Sequence, residues 1–288
     1  MIRKKTILII LLVLNIFSWS IVWELSKDNN LKVCFLDVGM GDSIFIQAPF
    51  NQQILIDGGP NNKVVDKLEQ RMPFFDRKIE LIILSHPDKD HLFGFLEVLK
   101  RYKVANVLWN GIKPTTELSQ DFKEAIEKEG AKIWIAEQGL KVKISDEQYF
   151  EVLYPFESLE GREVTNKNNS SVVLMLKSSG NRVLFTGDAE KSVEQLLIKK
   201  GYDLKAQVLK VSHHGSKTGT SLDFLEAVQP SIGIICASAE NRYGFPAKQT
   251  LANLAEYGIN VLQTSNFEKD ICLIQKKNGP FLLLNQTP

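Results

Sequence analysis

"LSHPDKDH", residues 84–91, sets His86 and His91 around Asp88 and Asp90, directly behind the apolar run "ELIILS" (80–85). The chain contains only 4 histidines, and the other two, His213 and His214, sit side by side in "VSHHGS" (211–216). A continuous apolar run predicts a strand covered on both faces. A loop at the end of such a strand can aim several side chains at one point, and imidazole together with carboxylate suits divalent metals. Taken alone, "PDKD" also reads as a solvated turn beside two incidental histidines. Three further fragments decide between these readings. "ILIDGG" ends a strand-like run on Asp57, "LFTGD" ends one on Asp188, and "VLKVSHHGS" ends one on the histidine pair. Metal-compatible groups thus fall at four strand ends and every histidine is used, which predicts a bound metal centre.

Outward from this stretch, Leu92, Phe95, Leu96, Leu99 and Tyr102 follow helical spacing, as do Leu118, Phe122, Ala125 and Ile126 before the stop signal Gly130. Upstream, "KVCFLDV", "SIFIQA" and "QILID" are strand runs separated by the turn stretches "GMGD" and "PFN". The second half repeats the style. "SVVLMLK" and "RVLFT" are joined by "SSGN"; strands "QVLKVS" and "SIGIIC" then alternate with helices, and "DICLIQ" and "FLLL" close the chain. Each half therefore begins as a meander and continues as strand–helix alternation. The expected fold class is α/β, two mixed sheets packed face to face with helices outside, a four-layer αββα sandwich.

The 288 residues suit one large domain or two small ones, and a net charge of +1 argues against a strongly basic nucleic-acid scaffold while leaving room for a local basic patch. Cys34, Cys236 and Cys272 form no CxxC pair. They are expected as small buried hydrophobes, with neither a disulfide framework nor a cysteine-rich zinc site. At the N-terminus, "MIRKK" precedes the uncharged run Thr6–Trp23, and Glu24 follows it. Such a run can cross a bilayer, and the charge order places the remainder outside the cytoplasmic membrane. An uncleaved single-pass anchor is expected; a cleaved signal peptide at Ser18-Trp19-Ser20, giving a secreted domain, is the alternative. The chain is divided accordingly into an anchor or signal segment with linker, 1–30, and one domain, 31–285.

In order and spacing, "FLDVGMGDSIFI", "ILIDGG", "LSHPDKDH", "FTGDAE" and "HHGS" resemble the successive motifs of the metallo-β-lactamase-fold hydrolases. The chain is most similar to the extracellular C-terminal domain of ComEC competence proteins and its free-standing relatives, a subgroup that "NNSSVVL" (168–174) and "NRYG" (241–244) also resemble. The resemblance implies two divalent metal ions, Zn or Mn, holding a hydroxide. His86 and Asp88 would serve one ion, Asp90 and His91 the other, and Asp188 would bridge them. Asp57 would orient a ligand from behind. One of the two adjacent histidines would complete the second site. Successive strand residues face opposite ways, so the other would face substrate. The assignment carried forward takes His213 as ligand and His214, with Asp90, as catalytic.

Two departures from the family pattern stand out. Asp88 replaces a histidine, and Asn168, Asn169 and Ser171 occupy the stretch where a further ligand histidine is expected. An oxygen-rich first site favours Mn²⁺ over a pure zinc pair. The subgroup's "NRYGHP" reads "NRYGFP" here, so Phe245 stands where a proton-donating histidine is expected. The leading expectation is a phosphodiesterase, with Lys89, Asn169, Ser216, Lys217 and Arg242 contacting phosphate. DNA is the substrate that the subgroup suggests, and a separate DNA-channel protein the partner, since one apolar segment cannot itself form a channel. A β-lactamase or thioesterase, and a non-catalytic DNA-binding accessory module, are the alternatives. Trp109 and Trp134 are expected to pack rather than to stack on bases.

Overall fold

The computed structural model describes residues 4–26, 30–267, 270–276 and 279–284; most of the expected linker and the end of the expected domain lie outside them. The first half runs α1 (Lys4–Ser26), β1 (Leu31–Phe35), β2 (Ile44–Ala48), β3 (Gln52–Ile56), α2 (Lys63–Glu69), β4 (Lys78–Ile79), β5 (Leu81–Leu84), α3 (Lys89–Leu99), β6 (Lys103–Val104), β7 (Asn106–Trp109), α4 (Glu117–Glu129) and β8 (Lys132–Ile135). The second runs β9 (Lys141–Lys143), β10 (Gln148–Tyr154), β11 (Val173–Ser178), β12 (Asn181–Phe185), α5 (Lys191–Lys199), β13 (Val208–Lys210), α6 (Leu222–Val228), β14 (Ile232–Ile235), α7 (Lys248–Glu256), β15 (Asn260–Gln263), β16 (Ile271–Gln275) and β17 (Phe281–Leu283).

Eight strands form one sheet in the order β17-β16-β1-β2-β3-β5-β7-β8, and seven form another in the order β15-β14-β13-β12-β11-β10-β9. Three apolar clusters separate the layers. Phe35, Ile46, Ile83, Phe150, Leu174 and Phe185 meet between the sheets. Val64, Leu92, Phe95 and Phe122 seal α2, α3 and α4 onto the outer face of the first sheet. Val193, Leu197, Phe224 and Leu254 do the same for α5, α6 and α7 on the second. Three buried interfaces make four layers, as the alternating pattern predicts. Helix α4 carries a capping box of Thr116 and Ser119 and stops at Gly130, whose φ of +70 fits a left-handed cap.

The closing strands do not extend the second sheet. β16 returns to the first and pairs antiparallel with β1, placing Cys34 opposite Cys272. These two cysteines are bonded as a disulfide, with Cα atoms 4.0 Å apart. The expectation of unlinked cysteines was therefore wrong for this pair. Two distant strand runs had offered no sign that they would be neighbours in register. Cys236 is free and buried.

Strand direction gives the domain two distinct ends. β3, β5 and β7 are mutually parallel, as are β12, β13, β14 and β15. Asp57, His86, Asp188 and the His213/His214 pair all follow the C-terminal ends of these strands. Among the described residues, one helix, over Lys4–Val22, is long and apolar enough to cross a membrane.

Candidate metal centre

Helix α3 begins at Lys89, with Asp88 in the cap position at extended dihedrals. An aspartate there ordinarily accepts from the first-turn N–H groups. Asp88 makes no such bond; its carboxylate lies 3.7 Å from His86 Nε2 and 3.3 Å from Lys167 Nζ. The helix start is clamped from below, where Gly58 N donates to His91 O at 2.6 Å and Gly94 N to Gly59 O at 3.0 Å. A Cβ on Gly94 would come within 1.9 Å of Gly58 O, so only glycine allows this approach. The clamp carries Asp90 and His91 into the centre.

Asp57 fixes two neighbours. It accepts from Ser85 N and Ser85 Oγ, both at 2.7 Å, and from His91 Nδ1 at 2.8 Å. Because Ser85 Oγ gives its proton to Asp57, it can only accept from His86 Nδ1, 3.1 Å away. Both rings are thereby held with Nε2 toward one point. His214 is set in the same sense: its Nδ1 lies 2.8 Å from Cys236 O and 3.2 Å from Asp42. All four histidines reach Asp188 through Nε2. His91 is 3.4 Å from its carboxylate, His214 3.6 Å, His213 3.7 Å and His86 4.0 Å. Asp90 lies 3.2 Å from His214 Nε2.

Among the described residues, His86 Nε2, His91 Nε2 and Asp188 Oδ1 are buried with no hydrogen-bond partner. Orphaned buried polar atoms cost about 1–3 kcal/mol each. Three of them converging on one point fit a cation that would satisfy all three. The ligand atoms of Asp90, His91, Asp188 and His214 lie within 4.8 Å of one another. A second group, Asp42, Asp57 and His91, also lies close together. Its atoms are already committed to Ser85 and to Lys210, so it is the weaker candidate.

Charge follows the same geometry. Burial works to raise the Asp188 carboxyl, but His214 and His91 outweigh it and hold it well below the usual range. Burial, helped by the neighbouring His91, pushes His86 down against the pull of Asp188 and Asp88, which keeps its imidazole neutral and able to donate a lone pair.

The histidine pair does not lie on a strand. β13 ends at Lys210, and His213 and His214 occupy a tight turn with φ of 48 and 52. Gly215 follows at φ +83, where a Cβ would meet Pro246 at 2.6 Å. The turn brings both rings to Asp188 instead of sending them to opposite faces. His214 is buried against Asp42 and Cys236, whereas His213 faces the open side between Thr218 (3.2 Å) and Asn168 (3.4 Å).

A cleft of about 620 Å³ opens over this point, lined in part by Asp88, Asp90, His213, Ser216, Lys217 and Phe245. Lys89, Asn169 and Arg242 do not line it. Lys89 lies over the Phe93 ring, Asn169 bonds Glu190, and Arg242 bonds Tyr243 Oη. Of the replacements at 168–171, Asn168 lines the cleft, whereas Ser171 acts from behind: its Oγ sits 3.3 Å from His86 Nδ1 and accepts from Asp188 N. A cavity of about 580 Å³ near Trp134 contains no histidine in its lining. Trp109 is core.

Sequence reasoning assigned no role to Asp42 and Lys210. Lys210 Nζ lies 2.7 Å from Asp42, both side chains are 1% exposed, and Asp42 in turn backs His214. The sign was legible in "QVLKVS": a lysine within a buried strand requires a buried anion.

Residues 36–239 match the family described as the metallo-beta-lactamase superfamily. The chain is 33% identical over 250 residues to ComE operon protein 3 of Bacillus subtilis, covering 81% of this chain and 32% of that protein. It is 31% identical to Recombination protein 2 of Haemophilus influenzae, covering 94% and 33%. The chain thus spans about a third of the length of these relatives. Among solved structures it is similar to CmlA, a diiron β-hydroxylase from Streptomyces venezuelae. The TM-score is 0.52 at 12% identity, over 82% of this chain and 52% of that one, a likeness of fold alone.

Proposed function

The chain belongs to the metallo-β-lactamase superfamily, and from that premise we propose that it is a metal-dependent phosphodiesterase acting outside the cytoplasmic membrane, with DNA as its substrate class. The observation that carries the hydrolase reading is the convergence of orphaned His86 Nε2, His91 Nε2 and Asp188 Oδ1 beneath an open cleft. Asp90, His91, Asp188 and His214 would hold one divalent ion. His86, Asp88 and Asp188 would hold another, with His213 beside them. His214, rather than His213, is the better placed of the pair for the first ion, because its Nδ1 is anchored and its Nε2 faces Asp90. Bound there, two divalent ions supply a water-derived nucleophile and stabilise the oxygens of an in-line displacement.

The chain's own residues do the rest. Asp57 and Ser85 keep the imidazoles in the donating orientation. Asp90, at the cleft floor, is placed to take the proton of an attacking water. Lys217 and Ser216 at the cleft edge are available to a phosphate. The relative named for recombination supports DNA. Export is supported by the apolar helix Lys4–Ser26 and by the Cys34–Cys272 disulfide, since disulfides persist in oxidising compartments. A separate channel protein is the partner this reading implies.

The test uses the detergent-solubilised full chain, reconstituted with Mn²⁺ or Zn²⁺ after chelation. Metal-restored hydrolysis of bis(p-nitrophenyl) phosphate is expected, with loss of bound metal and activity in Asp188→Ala. Hydrolysis of nitrocefin in place of the phosphodiester would reverse the choice of substrate. Metal content clearly below one ion per chain would defeat the dinuclear site.

A further inference from the structure

Outside helix α1, the three most exposed large apolar side chains among the described residues are Phe74 (85%), Phe75 (73%) and Phe50 (60%). All three lie at one end of the domain. Phe50 sits in the turn between β2 and β3, beside the start of β1, since Lys32 pairs with Gln47. Phe74 and Phe75 lie in the loop that leads into β4 and β5, and β5 runs parallel to β3 from the same end. The two segments are tied: Gln53 Nε2 donates to Asp76 Oδ2 at 3.4 Å, and Gln53 N to Glu80 at 2.8 Å. Phe74 and Phe75 pack edge to face on each other, 5.5 Å between centroids. A soluble domain of this size gains nothing from holding its largest apolar side chains in water at one end.

The apolar N-terminal helix enters the domain at this same end. Ser26 closes α1 and Leu31 opens β1. The intervening chain can span at most about 18 Å when fully extended. A bilayer holding α1 must therefore lie close to Phe50, Phe74 and Phe75. Charge does not supply the contact: Arg77, Lys78 and Lys103 are paired with Glu69, Glu80 and Glu129. The aromatic rings are what a membrane interface would accept.

We infer that Phe50, Phe74 and Phe75 insert into the outer surface of the lipid bilayer that holds α1, docking the domain with its metal centre facing away from the membrane. This rests on the membrane-anchor part of the reading above. The parallel strands that end at the metal ligands begin at the docked end, so the cleft is presented about 15 Å or more above the lipid, by strand length alone. A site held so faces a polymer approaching from outside, not a lipid.

Engineered cysteines can be labelled selectively, because Cys34 and Cys272 are bonded and Cys236 is buried. The full chain would carry a nitrobenzoxadiazole probe at Phe75→Cys, at Phe17→Cys in α1, or at Glu240→Cys near the cleft. Each would be reconstituted into phosphatidylcholine–phosphatidylglycerol vesicles containing shallow nitroxide lipids. Quenching and a blue shift at 75 and 17, with neither at 240, is the expected result. A response at 17 alone overturns the docking and leaves the anchor standing. A response at neither 17 nor 75 removes the anchor and the docking together. Quenching at 75 and 240 alike would lay the domain on its side and overturn the orientation.

Discussion

At the residue scale, the centre depends on groups that touch no substrate. The buried Asp42–Lys210 pair backs His214, and removing one partner leaves an uncompensated buried charge. Asp42→Asn should cost about 3 kcal/mol or more, read as a lowered chemical-denaturation midpoint, and Asp42→Asn with Lys210→Met should recover part of it. A loss below about 1 kcal/mol would show the pair to be incidental. Burial works to raise the Asp42 carboxyl, but Lys210 and His214 outweigh it and hold it at about 2, against an ordinary 3.8. A depressed acid stabilises the fold above its unfolded value. This contribution should therefore be complete above pH 3.8 and vanish as pH falls toward 2, and Asp42→Asn should lack that step. Phe245 is the other decisive residue. Its ring lies 5.5 Å from His213 at the cleft, where the subgroup's pattern has a histidine. General acid help to a basic leaving group contributes about 100- to 10,000-fold. Phe245→His should accelerate DNA cleavage while hardly changing bis(p-nitrophenyl) phosphate, whose leaving group departs without a proton. Equal effects on both substrates would make Phe245 an apolar wall instead. The metal-compatible residues were legible because each ends an apolar run. Asp42 was not, because nothing local to "GMGDS" signals a lysine lying 168 positions further along the chain.

At the element scale, periodicity announced the helices and strands but not their partners. β1 and β16 are 5-residue strands with similar apolar patterns, and only their register makes Cys34 and Cys272 neighbours. Likewise "QVLKVS" reads as a strand that delivers the histidine pair, yet the strand ends at Lys210, and the left-handed backbone at His213, His214 and Gly215 turns both rings to Asp188. A run of residues with positive φ has no signature in hydrophobic spacing, apart from the glycine that closes it. The disulfide has a thermodynamic consequence that follows from its loop. It closes 238 residues, for which the chain-entropy account gives about 5 kcal/mol of stabilisation. Reduction, or Cys272→Ser, should lower the thermal midpoint clearly and loosen β16 and β17 first, because they join the sheet only through β1. Amide exchange confined to those strands would report it. An unchanged midpoint, or two free thiols detected in addition to Cys236 in the oxidised protein, would remove the bridge.

At the scale of the whole molecule, the layer order and the pairing of two half-domains were legible, because each half runs from a strand meander into strand–helix alternation. What stayed hidden was the polarity of the assembly: which end bears the apolar helix and which the metal ligands. That polarity comes from strand direction. β1 leaves the tether end and runs toward Asp42; β2 reverses that direction, and β3 and β5 repeat it. The same polarity constrains where the domain works. Arg3, Lys4 and Lys5 precede the apolar run and Glu24 follows it, the charge order that leaves the chain beyond the helix outside the cytoplasm. The Cys34–Cys272 bridge independently fits an oxidising compartment. Two unrelated physical arguments, one from membrane insertion and one from redox chemistry, therefore support the same proposed side for the domain. Protease added to intact protoplasts should digest the domain while a cytoplasmic marker survives, and non-reducing electrophoresis of the undigested chain should show the bridge formed in vivo. Full protection together with reduced Cys34 and Cys272 would invert the topology. The metal centre would then face the cytoplasm, where incoming polymer at the cell surface could not reach it.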